Sequence, residues 1–176
     1  QLHMSARRQR QMCIRDSSAR SVPLKAIALV MNEAIGNCGV ICDDRYPLLG
    51  FISAMAPLFA TGNRSIIIPS EPFSPIVTDF YQVLDTSDVP PGTVNILTGK
   101  HTDLAIELAS HMDIESVWSF STSDVSRDIE KASVSNLKRT WVSNGEKRDW
   151  YNEESQGKQF LTNSTENKTI WIPYGE

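Results

Sequence analysis

Residues Gly36–Gly99 read GNCGVICDDRYPLLGFISAMAPLFATGNRSIIIPSEPFSPIVTDFYQVLDTSDVPPGTVNILTG, and the order of apolar runs and chain breakers in them decides the fold. A first strand is expected at about Cys38–Cys42. Tyr46-Pro47 then opens a helix that runs to Ala60, because proline fits the first helical turn, and Gly62-Asn63 closes it. Three successive isoleucines in Ser65–Ile68 mark a second strand buried on both faces, and Pro69 ends it. Ile76, Val77, Phe80, Val83 and Leu84 recur at helical spacing and predict a helix over Ser74–Leu84. The turn Pro90-Pro91-Gly92 leads into a third strand, Val94–Leu97, which stops at Gly99.

The same alternation continues outward. Leu104, Ala105 and Leu108 give a helix over about Thr102–Ala109, followed by a fourth strand at Ser116–Ser119. Ser123 or Asp124 caps a helix reaching about Ser133, and Leu137–Val142 supplies a fifth strand. Strands alternating with helices specify an α/β fold, a parallel sheet of about five strands with crossover helices. Beyond Asn144 the pattern weakens. Glu146–Gln159 is charged, polar and broken by glycine, so residues 148–164 are expected to form a linker. The segment 165–176 carries a last apolar strand, Thr169–Pro173, which Pro173 and Gly175 end.

Residues 1–17 stand apart from this pattern. Gln11–Ser17, QMCIRDS, back-translates as cAG-ATG-TGT-ATA-AGA-GAC-AGy, which resembles a transposon end used in sequencing libraries. These residues are expected to be an adapter artefact or disordered, the chain being a metagenomic-type fragment whose parent extends upstream of Ser18. The competing reading is an Arg-rich leader. Of the 17 basic and 21 acidic side chains, residues 1–17 hold four and one. The rest carries a net charge of about −7, which argues against a nucleic-acid partner. Leu48–Ala60 is the longest apolar stretch and falls short of the ~20 residues that cross a bilayer, so no membrane partner is expected. Cys38 and Cys42 form no disulfide framework, consistent with a reducing cytoplasm. Sequons at Asn63, Asn163 and Asn167 carry no weight without a secretory signal.

The series Gly36-Asn-Cys-Gly, Tyr46-Pro-Leu-Leu, Ala56-Pro57, Gly62-Asn63, Ile68-Pro-Ser-Glu71, Pro90-Pro-Gly-Thr-Val-Asn-Ile-Leu-Thr-Gly99 and Asn136-Leu-Lys-Arg139 resembles the aldehyde dehydrogenases in order and spacing over about Ala34–Lys147. The resemblance implies a doubly wound, Rossmann-like NAD(P)-binding domain over residues 18–147, with helices on both faces and a ligand crevice beyond the C-terminal strand ends. Carried onto matching positions, it implies cofactor-binding roles for Glu71, Thr98, Gly99 and Ser121. The tail from Arg148 to Glu176 is similar to the catalytically silent second half of the family-16 aldehyde dehydrogenases. That likeness implies an upstream aldehyde dehydrogenase half in the same chain and a final strand that joins subunits into a homo-oligomer.

The departures from the family pattern fall on the chemistry. The Pro-Trp-Asn-Phe-Pro run, whose asparagine amide helps stabilise the oxyanion, is replaced by Asp43-Asp44-Arg45-Tyr46-Pro47. Two carboxylates there oppose a developing negative charge. Lys-Pro-Ala-Glu becomes Ile68-Pro69-Ser70-Glu71 and keeps only the glutamate. The glycines of Gly-Ser-Thr-x-x-Gly become Ser121 and Ser126, which removes the close backbone approach to a pyrophosphate. Ser143 stands where the general base belongs, and no cysteine follows Cys42 to act as the nucleophile. No catalytic residue is therefore expected in this segment, and no cofactor, NAD belonging to the parent.

Other candidates favour packing. The spacing of Cys38, Cys42, Asp43 and Asp44 fits no common zinc pattern, so no metal site is expected. His101 and His111 are expected to be surface or capping residues, and Trp118, Trp141, Trp150 and Trp171 core or interface residues. The leading expectation is a noncatalytic, structural domain of an NAD-dependent aldehyde-oxidising parent. The alternatives are a pseudoenzyme module that binds a nucleotide or small molecule near Asp43, Asp44, Glu71, Thr98 and Gly99, and a truncated piece of an active enzyme.

Overall fold

The computed structural model describes residues 19–21, 26–155 and 157–173. The adapter expectation for residues 1–17 lies outside them. Two compact units are present, residues 35–164 forming one, and strands on either side of it in sequence forming the other.

The larger unit holds the expected parallel sheet. In chain order it contains β3 (Asn37–Ile41), α1 (Pro47–Ala60), β4 (Arg64–Ile68), α2 (Ser74–Thr78), α3 (Phe80–Asp85), β5 (Val94–Ile96), α4 (His101–Ser110), β6 (Ser116–Ser119), α5 (Ser123–Ser133), β7 (Arg139–Val142) and α6 (Lys158–Asn163). The strands lie in the order β5-β4-β3-β6-β7, every pair parallel. Side-chain alternation splits each strand between two cores. Val40, Ile67 and Trp118 face a cluster with Phe51 and Leu58 of α1, together with Phe120, Trp150 and Phe160. Ile41, Ile68 and Val117 face Ala105 and Leu108 of α4 and Val125 and Ile129 of α5. Both faces of the sheet are thus covered, as the triple isoleucine requires.

Several boundaries differ from the expectation for physical reasons. The helix expected over Ser74–Leu84 breaks at Asp79 into α2 and α3. β7 begins at Arg139 because Leu137 has a left-handed backbone (φ 54°) and an exposed side chain. Residues 148–164, expected as a linker, pack against the sheet. Trp150 and Phe160 are fully buried, and α6 lies within the segment. Trp141 and Phe160 meet edge to face with centroids 4.9 Å apart, and Phe120 and Trp150 do so at 5.1 Å.

Asn63, which follows α1, ties this segment to the sheet. Its Oδ1 accepts the Gly36 N–H at 2.9 Å, and its Nδ2 donates to Ser164 O and Thr61 Oγ1, each at 2.8 Å. The side chain is buried, so its truncation leaves the Gly36 N–H without its acceptor and Ser164 O and Thr61 Oγ1 without their donor. Asn63→Ala should cost about 1–3 kcal/mol, read as a shift in the urea midpoint. A change below about 0.5 kcal/mol would show that the three bonds contribute nothing net.

The smaller unit is an antiparallel sheet of β1 (Ala19–Ser21), β2 (Ala26–Ala34) and β8 (Thr165–Pro173), in the order β1-β2-β8. β8 is longer than the expected Thr169–Pro173 and pairs along its whole length with β2, from Ala34 opposite Thr165 to Ala26 opposite Pro173. β2 has no counterpart in the sequence reading. Its alanines, methionine and glutamate are not typical strand residues. Only the alternation of buried Ala26, Ala28 and Val30 with exposed Ile27 and Met31 marks it.

Candidate functional site

The order of the five strands reverses direction at β3, whose neighbours β4 and β6 lead to opposite edges. In open parallel sheets ligands bind beyond the strand ends at such a point. Here those ends are Cys42–Arg45 after β3, Pro69–Glu71 after β4, Leu97–Gly99 after β5, Phe120–Ser121 after β6 and Ser143–Gly145 after β7.

Asp43 is buried and fully engaged. Its Oδ1 accepts from the Arg45 backbone N–H and Nε, each at 3.0 Å. Its Oδ2 accepts from Arg45 Nη2 at 2.6 Å and from the Trp150 indole Nε1 at 3.2 Å. Burial opposes the charge, but the hydrogen bonds from Arg45 and Trp150 outweigh it and hold the carboxyl below its usual range. Asp43 therefore anchors Trp150 to the end of β3. Arg45, at the position where the family carries its asparagine amide, turns its guanidinium back onto Asp43.

Glu71 and Ser121, two of the expected cofactor residues, meet through His101. The first backbone N–H of α4, that of His101, donates to Glu71 Oε1, so the glutamate caps α4. Asp44 Oδ1 in turn accepts the Glu71 N–H at 2.8 Å. The imidazole is buried, with Nε2 2.8 Å from Pro69 O and Nδ1 3.2 Å from Ser121 Oγ. A carbonyl only accepts, so Nε2 carries a proton and donates it to Pro69 O, and Asp44 Oδ1 lies 4.0 Å from the same nitrogen. His101, expected at the surface or as a cap, instead links the ends of β4 and β6. Its sequence signal, a histidine just past a strand-ending glycine, is too common to single it out. Thr98 and Gly99 remain exposed. A Cβ at Gly99 would come within 2.8 Å of Leu104 Cδ1, the tip of a side chain on α4 that would have to shift.

The first turn of α5 is the place for a phosphate on this fold. Thr122 supplies no side-chain cap there, and Asp124 ion-pairs with Arg127 at 3.2 Å. Gly145 (φ 77°) lies against this turn, its would-be Cβ 3.1 Å from Ser123 N. The chain's own Gly145 loop therefore lies on the backbone side of this turn that a pyrophosphate would approach. The cysteines are unsuited to attack. Burial, with Glu115 adding to it, pushes the Cys38 thiol up to about 12, and burial beside Asp43 and Asp44 raises Cys42 further. Among the described residues, no three His, Cys, Asp or Glu side chains converge on a metal position, and no helix is long and apolar enough to cross a membrane.

Comparison with known proteins follows the same lines. The model of the aldehyde dehydrogenase family matches residues 4–151. The aldehyde dehydrogenase 1A1 of Equus caballus is 33% identical over 117 residues, covering 66% of this chain and 23% of that protein. The Homo sapiens protein of the same name is 30% identical over 131 residues, 73% of this chain and 26% of its own length. Among solved structures, PnpE from Pseudomonas sp. WBC-3 aligns with a TM-score of 0.68 at 27% identity, covering 78% of this chain and 28% of its own. The aldehyde dehydrogenase KauB from Pseudomonas aeruginosa aligns with a TM-score of 0.68 at 25% identity, covering 80% and 28%. The chain thus spans about a quarter of the length of these relatives.

Proposed function

The chain belongs to the aldehyde dehydrogenase family, and from that premise we propose that this segment is a noncatalytic, structural part of a longer NAD-dependent enzyme that oxidises aldehydes to acids. The observation that carries the reading is the Asp43–Arg45–Trp150 anchor: where the family positions an amide to stabilise an oxyanion, this chain spends both charged groups on holding its own aromatic core. The buried, protonated thiols support it, since neither supplies a thiolate at neutral pH. The parent then takes its nucleophile and its cofactor from an upstream half like those of the family-16 enzymes, and works in the cytoplasm, where free thiols persist.

The part left to this segment is assembly. β8 stands at the edge of the three-stranded sheet, and Ile170, Trp171 and Ile172 on it are exposed. An apolar edge strand pairs with another sheet or aggregates, and pairing with a second copy of the parent gives it a use. The test has two arms. The chain alone should show no aldehyde-dependent NADH formation, and removing residues 165–173 from the parent should lower its oligomeric state in sedimentation. Turnover by the isolated chain would overturn the noncatalytic reading, and unchanged assembly of the shortened parent would overturn the structural one.

One observation favours the pseudoenzyme alternative. The buried Ser126 Oγ, in the first turns of α5, has no hydrogen-bond partner among the described residues. Calorimetric titration with NAD, NADP and ATP decides it. No heat at about millimolar ligand, the result expected from Ser121 and Ser126 in place of the family's glycines, removes nucleotide binding for these compounds.

A further inference from the structure

A cavity of about 380 Å³ opens beside β7 and the segment that follows it, lined in part by Phe120, Trp141, Ser143, Arg148 and Gln159. This is within the size range of small-molecule sites. The guanidinium of Arg148 sits among four aromatic rings, 5.3 Å from the centroid of Phe160, 5.4 Å from Trp141, 5.5 Å from Phe120 and 5.8 Å from Trp150. Such contacts stabilise the cation through the ring quadrupoles while leaving its N–H donors unspent. Among the described residues Arg148 makes no ion pair. It is half-buried, and burial lowers its pKa. A charged, preoriented fork on a cavity wall is the arrangement that recognises a planar anion.

We propose that this cavity is a carboxylate-binding site, in which Arg148 pairs with a small organic monocarboxylate whose apolar body rests against Trp141 and Phe120. The charge of the wall selects the monoanion. Lys147 and Arg148 are offset by Glu146 and Asp149, so one negative charge is accommodated, whereas a phosphate dianion meets two carboxylates with no added cation. The inference does not depend on the activity of the parent, because every group it uses lies in this chain.

The test is titration of the full chain with sodium benzoate, benzyl alcohol and inorganic phosphate at fixed ionic strength, followed by tryptophan fluorescence and calorimetry. Benzoate should saturate with a Kd on the order of 1 mM, as expected for a ligand of this size. Benzyl alcohol and phosphate should bind at least tenfold more weakly. Arg148→Lys keeps the cation but loses the planar fork, and should weaken benzoate at least tenfold. Absence of saturation, benzyl alcohol or phosphate binding as tightly as benzoate, or an unchanged Kd in the lysine variant would each overturn the proposal. Should the variant not fold, the ranking of the three ligands on the unaltered chain decides by itself.

Discussion

Phe160→Ala lowers stability by about 3–5 kcal/mol, the cost of emptying a fully buried aromatic site. Phe160 has no exposure and lies among Trp118, Trp141, Trp150 and Phe120, with ring centroids at 6.0, 4.9, 6.1 and 5.9 Å. Those neighbours come from β6, β7 and the segment after it, so the cavity cannot collapse through one element alone. The measurement is the urea midpoint and slope by circular dichroism, with Leu161→Ala, a more exposed neighbour on α6, as control. A loss below about 1 kcal/mol would mean that α6 is only loosely applied to the sheet and that the segment behaves as a linker after all. A full loss would consume much of the stability that a domain of this size ordinarily has.

Asp43→Asn is the second large effect, a loss of about 2–3 kcal/mol at neutral pH, because the amide keeps one accepting oxygen without its charge and turns the other into an NH2 group, so that two of the four donors from Arg45 and Trp150 lose their acceptor. The pH dependence separates charge from shape. The folded carboxyl titrates below its unfolded value, so between the two the unfolded chain binds more protons. The stabilisation is complete above the unfolded pKa of about 4 and is lost as pH falls through the folded value. The gap between the natural chain and Asp43→Asn should accordingly be widest at pH 7, persist at pH 5 and shrink below about pH 4, followed by urea midpoints at each pH. A gap that stays constant down to pH 3 would assign the cost to packing and remove the charged anchor from the account.

The central sheet was legible because its signals are local. Three isoleucines bounded by Pro69 and a helix opened by Pro47 each specify their own conformation, and strand–helix alternation leaves few topologies. Trp150 was read as a core or interface residue and is fully buried, whereas Phe160 was not legible because nothing local distinguishes an isolated aromatic in a polar segment from an exposed one. Their burial follows from surfaces built by β6, β7 and α1. β2 was missed for the same reason: its pairing partner lies beyond the whole α/β unit. In the candidate site, the family resemblance pointed to Glu71 and Ser121 but not to the imidazole between them, since the partners of His101 come from the ends of different strands. Arg45 was legible as a departure. That it folds back onto Asp43 required the position of Trp150.

The pairing of β2 with β8 has a consequence for biogenesis. A ribosome delivers Ala26–Ala34 first and Thr165–Pro173 only after the intervening α/β unit, so β2 waits unpaired on that edge throughout that interval. At about 5–20 residues per second the delay is several seconds or more, long compared with the microseconds in which a local hairpin closes. Folding of the intervening unit restricts the loop between the two strands, and the late-arriving strand then finds its partner at a reduced entropic cost. Nascent chains paused just short of residue 165 should be the species most prone to capture by chaperones.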